Sequence, residues 1–160
     1  MPRPRSWDAA EADEIVARHR DMPGALLPIL HALQEAFGYV DKSAVPGIAH
    51  ALNVSQAEVH GVITFYRDFR QAPPGRHLLE ICRAEACQSM GCGALIDHLR
   101  ARFKVELGET TADGALTVKD VFCLGNCALS PAALLDGEPI GRLDPARIDA
   151  IVRAAKERAR

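Results

Sequence analysis

The chain has 160 residues, 48% of them apolar and 25% charged, with a formal net charge of −2. That length can bury one ordinary core or two small ones, and the near-neutral balance removes the electrostatic ground for binding nucleic acid or an anionic membrane. No apolar run approaches the roughly 20 residues of a bilayer crossing, and the charged start M-P-R-P-R-S-W-D-A-A-E has no apolar stretch behind it, so a cytoplasmic setting with reduced thiols is expected.

From the N-terminus, Ser6 is placed to cap a first helix carrying Ala12, Ile15, Val16 and His19. Asp8, Glu11, Asp13 and Glu14 lie near its start and Arg18 and Arg20 near its end, as the helix dipole favours. Met22-Pro23-Gly24 breaks the pattern. Leu26 to Phe37 then repeats apolar residues at helical spacing, with Pro28 in the first turn and Gly38 as terminator. A third helix is expected from Ser43 to Leu52. After a turn at Asn53-Val54, Ser55-x-x-Glu58 forms a capping box for a fourth helix reaching about Phe69. Pro73-Pro74-Gly75 marks a boundary, so residues 1–72 are expected to form a helical bundle with a docking role.

Ile48-Ala49-x-x-Leu52-Asn53-Val54-Ser55 has the pattern of a helix-turn-helix. Its second helix opens with Gln56 and Glu58, and Arg67 and Arg70 lie at its far end, so there is no basic face for phosphate contacts. Phe65, Tyr66 and Phe69 are accordingly assigned to a core or domain-contact surface rather than to base stacking.

The periodicity changes after the boundary. His77 to Cys82 reads as a strand, followed by a cysteine-bearing loop and a helix over Gly93–Phe103. Strands are expected at Val105–Leu107 and Leu116–Phe122, and a hairpin of Ala133–Leu135 with Pro139–Leu143 about Asp136-Gly137. The last helix has Asp144 as N-cap, Pro145 in its first turn, Ile148, Ile151, Val152 and Ala155 on one face, and Arg153, Lys156, Arg158 and Arg160 towards its end. This order fits a small α/β domain of thioredoxin type over residues 76–160.

All five cysteines fall in this half: Cys82, Cys87 and Cys92, then Cys123 and Cys127. Buried thiols acting as small hydrophobes do not account for five in two short segments. Structural zinc favours two-residue spacings between paired ligands, and a redox dithiol needs C-x-x-C; C-R-A-E-A-C and C-L-G-N-C supply neither. Four thiolates from two strand-end loops suit a [2Fe–2S] cluster, two per iron. Small residues in the loops, such as Ala84, Ala86, Gly91, Gly125 and Ala128, let backbone N–H groups approach the sulfur. His60, His77 and His98 are weaker ligand candidates, and Cys92 is a fifth thiol that could substitute for one of the four.

With these residues in hand, the chain resembles the 24-kilodalton subunit family of respiratory complex I and its soluble relatives. L-L-P-I-L-H-A-L-Q-E-A-F-G-Y-V, V-H-G-V-I-T-F-Y and the C-x4-C, C-x3-C spacings carry the resemblance. It implies an α+β chain in two parts, an N-terminal helical bundle followed by a thioredoxin-like [2Fe–2S] ferredoxin domain. It places the ligands at Cys82, Cys87, Cys123 and Cys127 and leaves Cys92 out. C-R-A-E-A-C-Q-S-M-G is similar to the gamma subunits of soluble NAD-dependent formate dehydrogenases. That similarity implies a non-catalytic electron-transfer subunit, with no active site of its own, that contacts neither nucleic acid nor membrane. Its partners would be a beta-type subunit binding FMN and NAD, and a large molybdenum- or tungsten-containing subunit that oxidises formate, with further iron–sulfur clusters among them. The equivalent subunit of NADH-quinone oxidoreductase or of an NAD-linked hydrogenase is the alternative, and a cluster-sensing DNA-binding regulator a remote one.

Overall fold

The structure, a computed structural model, describes residues 5–157; Arg158 and Arg160, assigned above to the basic end of the last helix, lie outside them. Seven α-helices and a four-stranded sheet occur among the described residues, and the chain divides into two compact units between Pro73 and Pro74.

The first unit contains α1 (Ala9–His19), α2 (Leu26–Phe37), α3 (Ala44–Leu52) and α4 (Gln56–Phe65). Apolar residues three and four apart put one face of each helix into a shared core of Ile15, Leu30, Leu33, Phe37, Ile48 and Val59. Helix α1 packs against α2 and α3, and α3 against α4. The cap of α1 is Asp8, not the expected Ser6: its Oδ1 accepts from the N–H groups of Ala10 and Glu11 at 2.9 and 3.2 Å. Trp7 packs its ring 4.6 Å from that of Phe37, which leaves Asp8 beside the first free amides. Gly38 ends α2 as expected, at φ 85°.

Helix α4 stops at Phe65, short of the expected Phe69. The side chain of Gln34 substitutes for helical bonding there, donating to Asp68 O at 2.8 Å and accepting from Arg70 N at 2.7 Å. Phe69 is thereby buried beside His31, while Phe65 is left 78% exposed. At the other end of α4 the capping box forms in full: Glu58 N donates to Ser55 Oγ at 3.1 Å and Ser55 N to Glu58 Oε2 at 2.8 Å. Ser55→Ala is expected to cost about 1 kcal/mol, measured by urea unfolding followed through Trp7, the chain's one tryptophan. The Ser55 backbone N–H, and then its hydroxyl, hold the Glu58 carboxyl below its ordinary 4.5. A carboxylate depressed in the folded state contributes stability that is present above its unfolded pKa and lost as pH falls through the folded one. The Trp7-reported stability should therefore decline below about pH 4.5, and Ser55→Ala should flatten that part of the profile.

The second unit is built on β1 (His77–Cys82), which pairs in parallel with β2 (Leu116–Val121) and antiparallel with β3 (Ala133–Leu135). With β4 (Glu138–Ile140) the sheet order is β2-β1-β3-β4, consistent with a thioredoxin-like domain. Leu79 and Ile81 of β1 are fully buried in a core with Leu95 and Leu99 of α6 (Cys92–Phe103) and Ile148 and Val152 of α7 (Pro145–Glu157). Asp144 caps α7 as expected, accepting from Arg147 N at 2.7 Å.

The expected strand over Val105–Leu107 does not form. Lys104 ends α6 at φ 54°, and the chain turns before it runs beside β2, where Gly108 N donates to Val118 O at 2.7 Å and Val118 N to Glu109 O at 2.9 Å. The hairpin turn is Asp136-Gly137, with φ 54° and 88°, the pair of positive values a two-residue turn between twisted strands requires. Strand β4 ends at Ile140 instead of Leu143 because Arg142 N and Leu143 N turn to Leu129 O and Pro131 O.

Candidate metal centre

The three chain segments that carry or follow the cysteine loops meet at one end of the sheet. Cys82 ends β1 in register with Val121, the last residue of parallel β2. Strand β3 runs the other way and begins at Ala133, opposite Ile81. The junction is closed by Arg83 N donating to Val121 O at 2.8 Å and Cys82 N to Ala132 O at 2.9 Å. Parallel pairing of β1 with β2 is what brings residues 82–87 to residues 123–127, despite the long stretch of chain between them.

Cys87 lies on α5 (Glu85–Ser89), a short helix where the spacing suggested only a loop. Cys127 opens a 3-10 turn over Cys127–Leu129. Cys123 stands at φ 58°, a left-handed conformation costly for a residue with a β-carbon and concentrated at functional sites. Cys82 and Cys87 are buried, while Cys123 and Cys127 are exposed.

The thiols influence one another's ionisation. Burial pushes the Cys82 thiol up, but the N–H of Ala84, the Cys87 thiol and the backbone of Leu124 and Cys123 outweigh it and hold Cys82 below its ordinary value. The Cys127 thiol is pushed up, first by the charge of Cys123, then by burial and a hydrogen bond to Cys123, and more weakly by Cys87 and Cys82. Cys82 is thus influenced by Cys87, and Cys127 by Cys123 first and by Cys87 and Cys82 more weakly. Cys92, buried at the start of α6, is raised by burial and by Cys87 and Cys82, with Arg83 opposing.

Ser130 joins the two loops. Its hydroxyl accepts from Cys87 Sγ at 3.5 Å and donates to Cys127 O at 2.8 Å. In the sequence its only signal is its place in Ser130-Pro131 after the second pair. The histidines take other roles: His77 pairs with Asp136 and His98 with Asp149, each at 2.7 Å, and His60 is exposed.

Among the described residues, no three His, Cys, Asp or Glu side chains are grouped to hold a single metal ion. A binuclear cluster makes a different demand, two thiolates at each iron, and free thiols on two segments that meet at one sheet end suit it. The backbone donors at Cys82 suit a group that keeps its sulfurs anionic. The donor set therefore fits a [2Fe–2S] cluster.

The fold is of thioredoxin-like architecture, with cysteines on two segments that meet at one end of its sheet. The chain belongs to the thioredoxin-like [2Fe-2S] ferredoxin family, which it matches over residues 12–156. It is 34% identical over 144 residues to an NADH-quinone oxidoreductase subunit of Rhizobium meliloti (strain 1021), covering 90% of this chain and 86% of that one. To the NADP-reducing hydrogenase subunit HndA of Solidesulfovibrio fructosivorans it is 29% identical, covering 81% of this chain and 75% of the relative. Among solved structures, an air-oxidised NAD+-reducing [NiFe]-hydrogenase superposes with a TM-score of 0.69 at 34% identity, over 88% of this chain and 24% of the longer hydrogenase chain. No helix among the described residues is long and apolar enough to cross a membrane.

Proposed function

We propose that this chain is the electron-transfer iron–sulfur subunit of an NAD-linked oxidoreductase complex, with Cys82, Cys87, Cys123 and Cys127 as cluster ligands. The observation that carries this reading is the parallel pairing of β1 with β2, which brings both cysteine segments to one end of the sheet. A bound [2Fe–2S] cluster supplies a one-electron store to a partner that handles electrons in pairs. The protein's own residues hold it, direct the backbone N–H of Ala84 at buried Cys82, and leave Cys123 and Cys127 open to solvent or a partner. The sequence has neither a dinucleotide glycine fingerprint nor a P-loop, so hydride exchange belongs to a partner subunit binding flavin and NAD.

The finer assignment is to an NAD-dependent formate dehydrogenase, on the strength of Arg83-Ala84-Glu85-Ala86 between the first two ligands. In that complex a molybdenum- or tungsten-containing subunit oxidises formate, and the four-helix unit docks, with exposed Phe65 and Tyr66 available for contact. A second reading, the equivalent subunit of NADH-quinone oxidoreductase or of an NAD-linked hydrogenase, is favoured by the relatives named above. Affinity purification of the tagged chain from its native host separates them. Formate-dependent NAD reduction by the recovered complex is expected. Co-purified membrane subunits with NADH-quinone activity, or hydrogen-dependent NAD reduction, would move the chain to the second reading. Recovery with no flavoprotein at all would overturn both.

A further inference from the structure

Ser130 stands between the two cysteine segments and touches both. Its Oγ lies 3.5 Å from Cys87 Sγ and 2.8 Å from Cys127 O. The residue ends the 3-10 turn over Cys127–Leu129, and its backbone N–H also donates to Cys127 O, at 3.2 Å. That carbonyl therefore has two donors from the same residue. The backbone on either side of Ser130 is held by other segments. Arg142 N donates to Leu129 O at 2.6 Å, Leu143 N to Pro131 O at 2.9 Å, and Cys82 N to Ala132 O at 2.9 Å. The place of the hydroxyl against Cys87 is thus fixed by the fold around it.

With Cys87 as a free thiol, its Sγ donates to Ser130 Oγ, and Ser130 Oγ donates to Cys127 O. A cysteine that ligates iron is a thiolate and can only accept. The contact at Cys87 then survives only if its direction reverses. Turning the hydroxyl about its Cβ–Oγ bond does this with no heavy atom displaced, and Cys127 O keeps the Ser130 N–H. We propose that Ser130 positions Cys87 as a ligand and raises the reduction potential of the cluster, its hydroxyl donating to the Cys87 sulfur. Each ligand sulfur shares the negative charge that a one-electron reduction adds. A hydrogen bond donated to that sulfur strengthens as the charge grows, so it favours the reduced state. At Cys82 the comparable donor is the backbone N–H of Ala84; at Cys87 it is a side chain, which substitution can remove. The inference deepens the electron-carrier reading and rests on it.

The test is a potentiometric titration of the full chain, purified anaerobically and followed by EPR. In Ser130→Ala the ratio of reduced to oxidised cluster at a fixed ambient potential is expected to fall about tenfold, a midpoint about 59 mV more negative for a one-electron couple. Iron and sulfide content should match the unmodified chain. Ser130→Thr keeps a hydroxyl and should restore most of the ratio. Ser89→Ala is the control. It removes a hydroxyl from the short helix that carries Cys87, but one that donates to Ala86 O at 2.9 Å, so the ratio should not change. If Ser130→Ala retains too little cluster to titrate, Ser130→Gly carries the same comparison with the same expected fall. An unchanged ratio in the variant without the hydroxyl would overturn the proposal and leave the electron-carrier reading standing. So would an equal fall in Ser130→Thr, since the effect would then belong to the shape of the turn. A chain purified with neither iron nor labile sulfide would overturn the electron-carrier reading, and the role of Ser130 with it.

Discussion

Cys82→Ser and Cys127→Ser are each expected to abolish or grossly distort the cluster, one substitution in each thiol pair. A serine hydroxyl is a poor substitute for a thiolate at iron, and at Cys82 the new oxygen would be buried at 3% exposure among groups arranged for sulfur. Loss should be more complete there than at exposed Cys127, where solvent and neighbouring donors can compensate. Cys92→Ser provides the contrast. It removes a buried thiol outside the proposed ligand set, so iron content and the reduced EPR spectrum should stay nearly unchanged, while burial of a hydroxyl costs about 1–3 kcal/mol if it finds no partner. Loss of the signal in Cys92→Ser together with its survival in Cys87→Ser would show that the ligand set is wrong.

Gly141→Val is expected to damage the same centre from behind. A β-carbon at Gly141 would lie 2.5 Å from Leu129 Cβ and 2.8 Å from Leu129 O, both atoms of the turn opened by Cys127, and neither is the end of a flexible side chain. Arg142 N, the next residue, is already bonded to Leu129 O at 2.6 Å, so the two segments cannot separate without losing that bond. Overpacking of this kind costs about 1–3 kcal/mol, and relief by moving the turn displaces Cys127. Lower thermal stability and shifted EPR g-values should appear together. Gly93→Ala is the control: it lies in α6 with nothing within 4 Å of a new β-carbon, so the spectrum should be unchanged, with up to about 1 kcal/mol gained from helix propensity.

What could be read from the sequence followed from local chemistry. Helix α2 forms at its expected bounds because Gly38 and the apolar period both act within a few residues. The Ser55–Glu58 box and the Asp136-Gly137 turn were legible for the same reason. Elements set by distant partners were not. Helix α4 ends early because Gln34, far back in the chain, binds the backbone at Asp68 and Arg70. Val105–Leu107 has strand-like residues, yet the pairing with β2 begins only at Gly108. At the candidate site the spacing of the cysteines offered five candidate donors in two groups, and the family resemblance singled out four of them. The meeting of the two groups at one sheet end and the bridge through Ser130 depend on the parallel register of β1 and β2, which no local pattern encodes.

The most direct test of the central claim is the cluster itself. The chain is purified anaerobically, assayed for iron and acid-labile sulfide, and its EPR spectrum recorded after dithionite. About two irons and two sulfides per chain, with a spin-one-half signal appearing on reduction, are predicted. Zinc in place of iron, or iron without labile sulfide and no signal on reduction, would contradict the account.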